Sequence, residues 1–184
     1  MDDPGTVIWL TGLSGAGKTT IARILERRSH SVHPPLTVLD GDVLRALFAA
    51  GVGHGRARRL ELALTYGRLC RALAERGATV LCATMSLFHE AHEWNRANMP
   101  RYLEIYLRVP IEELRRRDPK GLYASGIGDL VGVDLPAEEP RRADLVIDHV
   151  AGRSPEDTAA IVEDFLRRRA GLAFGPDGAN KEGS

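Results

Sequence analysis

The stretch of sequence that decides the fold reads Gly12-Leu13-Ser14-Gly15-Ala16-Gly17-Lys18-Thr19-Thr20. It fits the pattern G-x-x-x-x-G-K-[ST], in which glycines allow the backbone to wrap closely around a phosphate group. The apolar run at residues 6–10 before it predicts a short buried strand, and residues 20–26 after it predict a helix. Strand, glycine-rich loop, Lys-Thr pair and helix therefore follow one another in the order that a nucleotide-binding loop requires.

The residue types of this loop match the chemistry of a triphosphate. The first N–H groups of the following helix have no partner within the helix, so they can point at phosphate oxygens. Lys18 is expected to bridge the β- and γ-phosphates and to act in catalysis, and the Thr19 hydroxyl is expected to bind Mg²⁺. The residues predicted to bind the nucleotide are Gly12, Ser14, Gly15, Ala16, Gly17, Lys18, Thr19 and Thr20.

Composition narrows the class of protein. The chain has 184 residues, of which 43% are hydrophobic, and this suits one domain with a full core. The 25 basic and 25 acidic residues give a net charge of zero, which argues against a surface dedicated to nucleic acid or membrane. Cys70 and Cys82 are expected to be buried free thiols of a reducing compartment. Because the chain starts with acidic residues and no secretory signal, we expect a cytoplasmic protein.

Apolar strands alternate with helices along the chain. This alternation predicts a parallel sheet covered on both faces, in a single domain at residues 1–170 with a flexible tail at residues 171–184. Residues 118–140 are rich in Gly and Pro and predict an ordered but mobile excursion. The strands are expected at residues 6–10, 36–39, 79–84, 103–107 and 145–147, and the helices at residues 20–28, 43–50, 56–76, 88–98, 111–117 and 154–169.

Two carboxylates follow the second predicted strand, as Asp40-Gly41-Asp42. Ligands of parallel sheets bind beyond the carboxyl ends of the strands, so both aspartates are expected beside the phosphate loop. Asp42 is predicted to be the catalytic base and to hold Mg²⁺. For Asp40, contact with the metal or acceptor and capping of the next helix are equally open. Arg45 is expected to bind an anionic acceptor, with an exposed position on a helix as the alternative.

A second dense stretch, at residues 115–123, reads Arg-Arg-Arg-Asp-Pro-Lys-Gly-Leu-Tyr. Phosphoryl transfer needs positive charge over the γ-phosphate and exclusion of water, and a closing basic lid supplies both. A solvated basic helix end is the alternative, and it stays open for Arg115 and Arg116. For Arg117 and Lys120 the lid is favoured, with Arg117 predicted to contact the nucleotide.

Taken together, the glycine-rich loop, Leu39-Asp40-Gly41-Asp42 with Arg45, and the stretch at residues 117–123 resemble the adenylylsulfate kinase family. The similarity covers about residues 5–148, and the third stretch is specific to that family. The resemblance implies an α/β fold of the P-loop NTPase kind, three-layer α/β/α with a mostly parallel central sheet and a mobile lid. It also implies ATP- and Mg²⁺-dependent phosphorylation of the 3′-hydroxyl of adenosine 5′-phosphosulfate to 3′-phosphoadenylyl sulfate, as in sulfate assimilation. By the same resemblance Asp42 is the base, and Arg45 and Lys120 contact the acceptor.

The acceptor side departs from the pattern of that family. Arg59 and Glu61 match it, but His54 stands where the family has the Phe that stacks on the acceptor base, and Leu62 where it has an acceptor-binding Asn. The family's Ile-Ser-Pro-Phe after the third strand is Met85-Ser86-Leu87-Phe88 in this chain. We therefore retain His54, Arg59 and Ser86 as predicted acceptor contacts, with an altered preference for the acceptor as a consequence.

Residues 88–96 also carry histidines where the family has other basic residues. The stretch resembles a related branch that acts on cytidine diphosphoramidate, which makes this nucleotide the second candidate acceptor. Arg96 is predicted to bind an acceptor phosphate, with a surface arginine as the alternative. His89 and His92 lack the spacing of a zinc-protease pair, so no zinc site is predicted. A nucleotide-binding module without catalysis is a third hypothesis, and a homodimer is one alternative for the oligomeric state.

Overall fold

The computed structural model describes residues 4–29, 35–48, 55–118, 121, 123, 131–133 and 136–175 of the chain. Within these residues, strands and helices alternate as the sequence pattern predicts. The strands are β1 (Val7–Thr11), β2 (Thr37–Asp40), β3 (Val80–Thr84), β4 (Tyr102–Arg108) and β5 (Leu145–Asp148). The helices are α1 (Lys18–Ser29), α2 (Gly41–Phe48), α3 (Arg56–Ala74), α4 (His89–Asn98), α5 (Ile111–Arg117) and α6 (Pro155–Ala170).

The strands form one parallel sheet in the order β2-β3-β1-β4-β5. β1 lies at the centre, where Val7 pairs with Val80 of β3 and with Tyr102 of β4. Because all strands run the same way, their carboxyl ends meet at one edge of the sheet. The phosphate loop follows β1 at this edge and α2 follows β2, with β3 between the two strands.

Helices cover both faces of the sheet, because alternate residues of each strand point to opposite sides. On one face Ile8 and Leu10 of β1 pack in a core that includes residues of α1 and α6. On the other face Trp9 packs with Tyr66 and Cys70 of α3, and α4 lies beside α3. The three-layer α/β/α arrangement with a parallel sheet is therefore confirmed.

Two of the differences from the sequence prediction have a clear physical reason. α2 begins at Gly41, two residues earlier than predicted, because the Asp40 carboxylate caps it: Asp40 Oδ1 accepts the N–H groups of Asp42 at 2.8 Å and Val43 at 3.4 Å. Residues 171–175, predicted as the start of a flexible tail, pack on the domain. Phe174 contacts the core, and Gly175 N–H donates to the carbonyl oxygen of Arg28 at 2.8 Å. Residues 176–184 lie outside the described part of the chain.

A buried carboxylate interrupts the apolar pattern of β4. Glu104 is 1% exposed, and its Oε1 accepts the Tyr102 hydroxyl at 3.0 Å. Its Oε2 lies 3.5 Å from Arg96 Nη2, and its N–H donates to Asp144 Oδ2 at 2.9 Å. Buried charges of this kind persist only when they are paired and hydrogen-bonded. The network joins α4, β4 and the start of β5 on the α3/α4 side of the sheet.

Both cysteines are buried with free thiols, as predicted. A hydrogen bond with Cys70 and burial raise the pKa of the Cys82 thiol, which keeps it protonated and unreactive. In the part of the chain that the structure describes, no helix combines the length and apolar character that crossing a membrane would need.

Candidate active site

The phosphate loop lies between Thr11, the last residue of β1, and Lys18, the first residue of α1. Gly15 and Gly17 have φ angles of 79° and 95°, which favour glycine because other side chains are strained there. Lys18 Nζ donates to the carbonyl oxygens of Gly12 and Leu13, both at 2.8 Å. The ammonium group is therefore held against the loop in which the sequence predicts a triphosphate.

A chain of hydrogen bonds joins this loop to the end of β2. The Thr19 hydroxyl donates to Asp40 Oδ2 at 2.8 Å, and Asp40 Oδ1 accepts the N–H of Asp42 at 2.8 Å. Asp40 therefore caps α2, one of the two roles that the sequence left open, and its other carboxylate oxygen contacts Thr19. Its contact with a metal or an acceptor stays a prediction. Asp42 is exposed in the first turn of α2. The structure therefore brings Lys18, Thr19, Asp40 and Asp42 to the same edge of the sheet.

A cavity of about 250 Å³ extends from the phosphate loop along the start of α1. Its far wall is the connection between β5 and α6, and α5 contributes Arg117. The residues that line it include Gly15, Gly17, Thr20, Arg117, His149 and Arg153. A cavity that begins at a phosphate loop and continues past it has room for the rest of a nucleotide.

The basic stretch reaches this region from α5. Arg117 Nε donates to Glu113 Oε1 at 2.7 Å, and Arg117 Nη2 donates to His149 Nδ1 at 3.0 Å. Further along the stretch, the Tyr123 hydroxyl donates to the carbonyl oxygen of Ser14 in the phosphate loop at 2.8 Å. The stretch therefore contacts both the cavity and the loop. Lys120 lies outside the described residues.

The arginines before Arg117 differ from it in their surroundings. Arg116 is 74% exposed and binds both carboxylate oxygens of Glu113 at 2.8 Å. Arg115 is also exposed. In the structure, Arg115 and Arg116 therefore lie at a solvated helix end.

Three predicted acceptor residues lie around the same edge of the sheet. Arg45 is exposed in the last turn of α2, and Arg59 is half-buried in the first turn of α3. Ser86, just after β3, is 4% exposed, and its hydroxyl lies 3.0 Å from Thr84 Oγ1. His54 lies outside the described residues. The acceptor contacts predicted for these residues stay predictions.

Arg96 has partners that differ from those predicted. Its Nη2 donates to Asp144 Oδ2 at 2.9 Å and to the carbonyl oxygen of Arg142 at 2.8 Å, and its guanidinium lies 5.2 Å from the Tyr102 ring centroid. These contacts place Arg96 in the buried network around Glu104. Because the network accounts for the arginine, we leave Arg96 out of the proposed acceptor site.

A cluster that we call the Arg56 cluster lies at the starts of α3 and α4; it comprises Arg56, Phe88, His89, Glu90 and Glu138. Arg56 Nη2 donates to Glu138 Oε1 at 2.6 Å and to Glu90 Oε1 at 2.9 Å, and its Cζ lies 5.5 Å from the Phe88 ring centroid. Glu138 Oε2 accepts the N–H of His89, the first residue of α4, at 2.8 Å. The cluster ties the starts of α3 and α4 to the segment that precedes β5.

The two histidines on this side hydrogen-bond to backbone carbonyl oxygens. His92 Nε2–H donates to the carbonyl oxygen of Ser86 at 2.6 Å, and burial lowers the pKa of His92, so its imidazole is neutral near pH 7. His89 Nε2–H donates to the carbonyl oxygen of Glu139 at 2.9 Å. Both histidines, at positions where the resemblance predicts other basic residues, therefore donate hydrogen bonds to backbone carbonyl oxygens.

Comparison with known proteins decides the family of the chain. The family model described as Adenylylsulphate kinase matches residues 4–148. The chain belongs to the adenylylsulphate kinase family. This membership makes it a kinase with the nucleotide-binding P-loop fold, and it agrees with the phosphate loop and the aspartates at the end of β2.

Individual relatives within the family differ in their acceptors. Cytidine diphosphoramidate kinase of Campylobacter jejuni is 36% identical over 160 residues, which cover 85% of this chain and 93% of that protein. Adenylyl-sulfate kinase of Gloeothece citriformis is 38% identical over 144 residues, which cover 76% and 82%. The chain spans 28% of the length of another relative, the bifunctional enzyme NodQ of Azospirillum brasilense, at 38% identity.

A solved structure of the family matches the fold closely. The APS kinase CysC of Mycobacterium tuberculosis, in complex with AMPPNP and APS, has a TM-score of 0.81 at 32% identity. The match covers 90% of this chain and 99% of that chain. The fold assigned from the sheet order is thus the fold of a kinase that binds a nucleotide and APS.

Several residues of the site could not be identified from the sequence alone. His149 gave no signal because it lies in a stretch without a motif, and Arg56 gave none because the family pattern around His54 and Arg59 leaves its position unspecified. Glu138 and Tyr123 lie in stretches that the sequence patterns singled out. Their contacts could not be predicted, because their partners are 49 or more residues away in the chain. Glu104 offered a signal, namely one carboxylate in the middle of an apolar strand.

Proposed function

We propose that the protein transfers the γ-phosphoryl group of ATP to the 3′-hydroxyl of adenosine 5′-phosphosulfate. Membership of the adenylylsulphate kinase family supports a phosphotransferase. The motifs on the ATP side are complete, since Lys18, Thr19 and Asp42 all match the pattern. The conclusion therefore depends on whether these residues act together on one phosphoryl group.

The observation that carries the proposal is the hydrogen-bond chain from Thr19 through Asp40 to Asp42. It connects the loop predicted to hold the triphosphate to the predicted base, so that both face the same edge of the sheet. A base must lie within reach of the hydroxyl whose proton it takes. An exposed carboxylate in the first turn of α2 can meet an acceptor that approaches from solvent.

The residues present fit a magnesium ion. The Thr19 hydroxyl and the Asp40 carboxylate lie 2.8 Å apart and are oxygen donors of the type that Mg²⁺ takes. When bound, the ion neutralises negative charge on the β- and γ-phosphates. Lys18 adds a positive charge to the same phosphates, Asp42 orients and deprotonates the ribose hydroxyl, and Arg45 and Arg59 bind the anionic acceptor. Arg117 and Tyr123 bring the basic stretch over the loop and exclude water.

A specific observation favours cytidine diphosphoramidate as a second candidate acceptor. A terminal sulfate presents only hydrogen-bond acceptors, whereas a terminal phosphoramidate also presents N–H donors. In this chain His89 and His92 are bound to backbone carbonyls, and Glu90 and Glu138 both face Arg56. An acceptor side with these carboxylates, where both histidines donate to the backbone and burial lowers the pKa of His92, suits a group that can donate.

Turnover with each acceptor separates the candidates. Purified protein is incubated with Mg²⁺-ATP and either adenosine 5′-phosphosulfate or cytidine diphosphoramidate, and the phosphorylated product is measured by mass spectrometry together with ADP. We expect one 3′-phosphorylated product per ADP with adenosine 5′-phosphosulfate. If only cytidine diphosphoramidate gives product, the protein is a kinase as proposed, but its acceptor is the cytidine nucleotide. ATP binding without any product from either acceptor would favour the non-catalytic module.

A further inference from the structure

We infer that His149 is a positioning residue that holds Arg117 in the ATP site through an unprotonated nitrogen and thereby makes ATP binding weaken at acidic pH. The inference rests on the proposed use of ATP, and it concerns a histidine that no motif singles out. His149 directly follows β5, and its N–H donates to the carbonyl oxygen of Arg108 in β4 at 2.9 Å. Its backbone is thus fixed to the sheet beside the cavity.

The side chain of His149 is one of two anchors for Arg117. Arg117 Nη2 lies 3.0 Å from His149 Nδ1, and Arg117 Nε lies 2.7 Å from Glu113 Oε1. The second anchor is firmly charged, because hydrogen bonds from Arg116 and Arg117 lower the pKa of Glu113 to about 2. With two anchors on different elements, α5 and the end of β5, the guanidinium has a defined position although Arg117 is exposed.

Both residues line the cavity that starts at Gly15 and Gly17. Since the phosphates are predicted at the loop, the part of the cavity near Arg117 and His149 faces the ribose and base of the nucleotide. A guanidinium fixed there can stack on a base or pair with a phosphate oxygen without first losing its rotational freedom. His149 therefore affects ATP affinity through Arg117.

The chemistry of the contact fixes the protonation state of the imidazole. A guanidinium can only donate hydrogen bonds, so His149 Nδ1 must accept and carries no proton. Protonation turns both ring nitrogens into donors and places a positive charge against Arg117. The contact is lost whether the protonated ring swings away or turns toward Glu113, which lies 3.6 Å from His149 Nε2.

Other charged groups face this histidine from each element packed around it. On α5 these are Glu113 and Arg117, on β4 Arg108, and on the segment before β5 Glu139. Asp148 and Arg153 flank it in the chain, and Asp148 is paired with Arg108. Among the described residues, none of the other groups is an imidazole, so a loss of Arg117 anchoring toward acidic pH is attributed to the contact with His149 Nδ1.

Two substitutions test the inference through ATP binding, without any acceptor. His149→Asn keeps an acceptor atom near the position of Nδ1 but cannot be protonated, whereas His149→Leu removes it. Affinity for Mg²⁺-ATP is measured by calorimetry at about pH 6 and about pH 8 for wild type and both variants. ATP changes its own charge over this range, so each result is expressed as a ratio to His149→Asn at the same pH.

At about pH 8 we expect His149→Leu to bind ATP about tenfold more weakly than wild type, the effect of losing one hydrogen bond from a charged donor. His149→Asn should match wild type at about pH 8 and bind more tightly than wild type at about pH 6. The inference is overturned if His149→Leu binds like wild type at about pH 8, or if the ratio of wild type to His149→Asn is the same at both pH values. Wild type that binds no ATP would overturn this inference and the proposed function together, while failure to phosphorylate an acceptor concerns the function alone.

Discussion

Asp40 is the residue whose two roles can be separated most cleanly. Its Oδ1 caps α2 through the N–H of Asp42, and its Oδ2 accepts the Thr19 hydroxyl. Asp40→Ala removes both contacts: the cap contributes about 1 kcal/mol, and a hydrogen bond to a charged acceptor about 1.5 kcal/mol. The expected loss of about 2.5 kcal/mol corresponds to a fall in Tm of about 5–10 °C for a domain of this size.

Asp40→Asn is the matched control, because its amide oxygen can still cap α2 while the carboxylate facing Thr19 is lost. We expect Asp40→Asn to lose about 1 kcal/mol or less. Both variants should lower kcat at least about 100-fold, since the carboxylate proposed to hold Mg²⁺ together with Thr19 is removed. Thermal unfolding and coupled ADP release measure the two effects. Equal destabilisation by Asn and Ala, together with turnover close to wild type in either variant, would refute the reasoning.

Three further changes probe other parts of the structure. Glu138→Gln weakens the Arg56 cluster and should raise KM for the acceptor about threefold to tenfold, with KM for ATP unchanged. The control is Glu75→Gln, in the exposed pair of Arg71 and Glu75 at the end of α3, which should change neither KM. Equal changes in both KM values of Glu138→Gln would contradict the assignment. Glu113→Gln tests acid stability: two arginines lower the pKa of Glu113 from 4.5 to about 2, so its stabilising effect is present above pH 4.5 and is lost as pH falls toward about 2. Urea unfolding at several pH values should therefore show the gap between wild type and variant closing over that window, and a constant gap would contradict it. Glu104→Gln should lower the free energy of unfolding, measured with urea, by about 3 kcal/mol, because it leaves buried partners unpaired. A decrease of less than about 1 kcal/mol would show that the network contributes little to stability.

Local patterns predicted the fold because each strand carries an apolar run and each helix an amphipathic one. The order of motifs along the chain then placed the phosphate loop and Asp40-Gly41-Asp42 at strand ends, and a parallel sheet brings strand ends together. The start of α2 was predicted two residues late, at Val43, because the sequence left open whether Asp40 caps this helix; the structure shows that it does.

Contacts between residues far apart in the chain were not predictable in the same way. Arg56 and Glu138 are 82 residues apart, and Arg117 and His149 are 32 apart. Nothing in composition or periodicity links such pairs, because they meet only after the sheet sets the positions of α3, α4 and α5. Arg96 is a further example, since nothing in the sequence indicated its contacts with Asp144 and the carbonyl oxygen of Arg142, 48 and 46 residues away.

The central claim is that Asp42 and the phosphate loop act together on one phosphoryl group. The most direct measurement uses ATP labelled in its γ-phosphate and compares wild type with Asp42→Asn, with and without an acceptor nucleotide. The account predicts that wild type transfers the label to a ribose hydroxyl and that Asp42→Asn binds ATP normally but transfers at least about 100 times more slowly. Label released to water at the same rate in both proteins, with none on either acceptor, would contradict it.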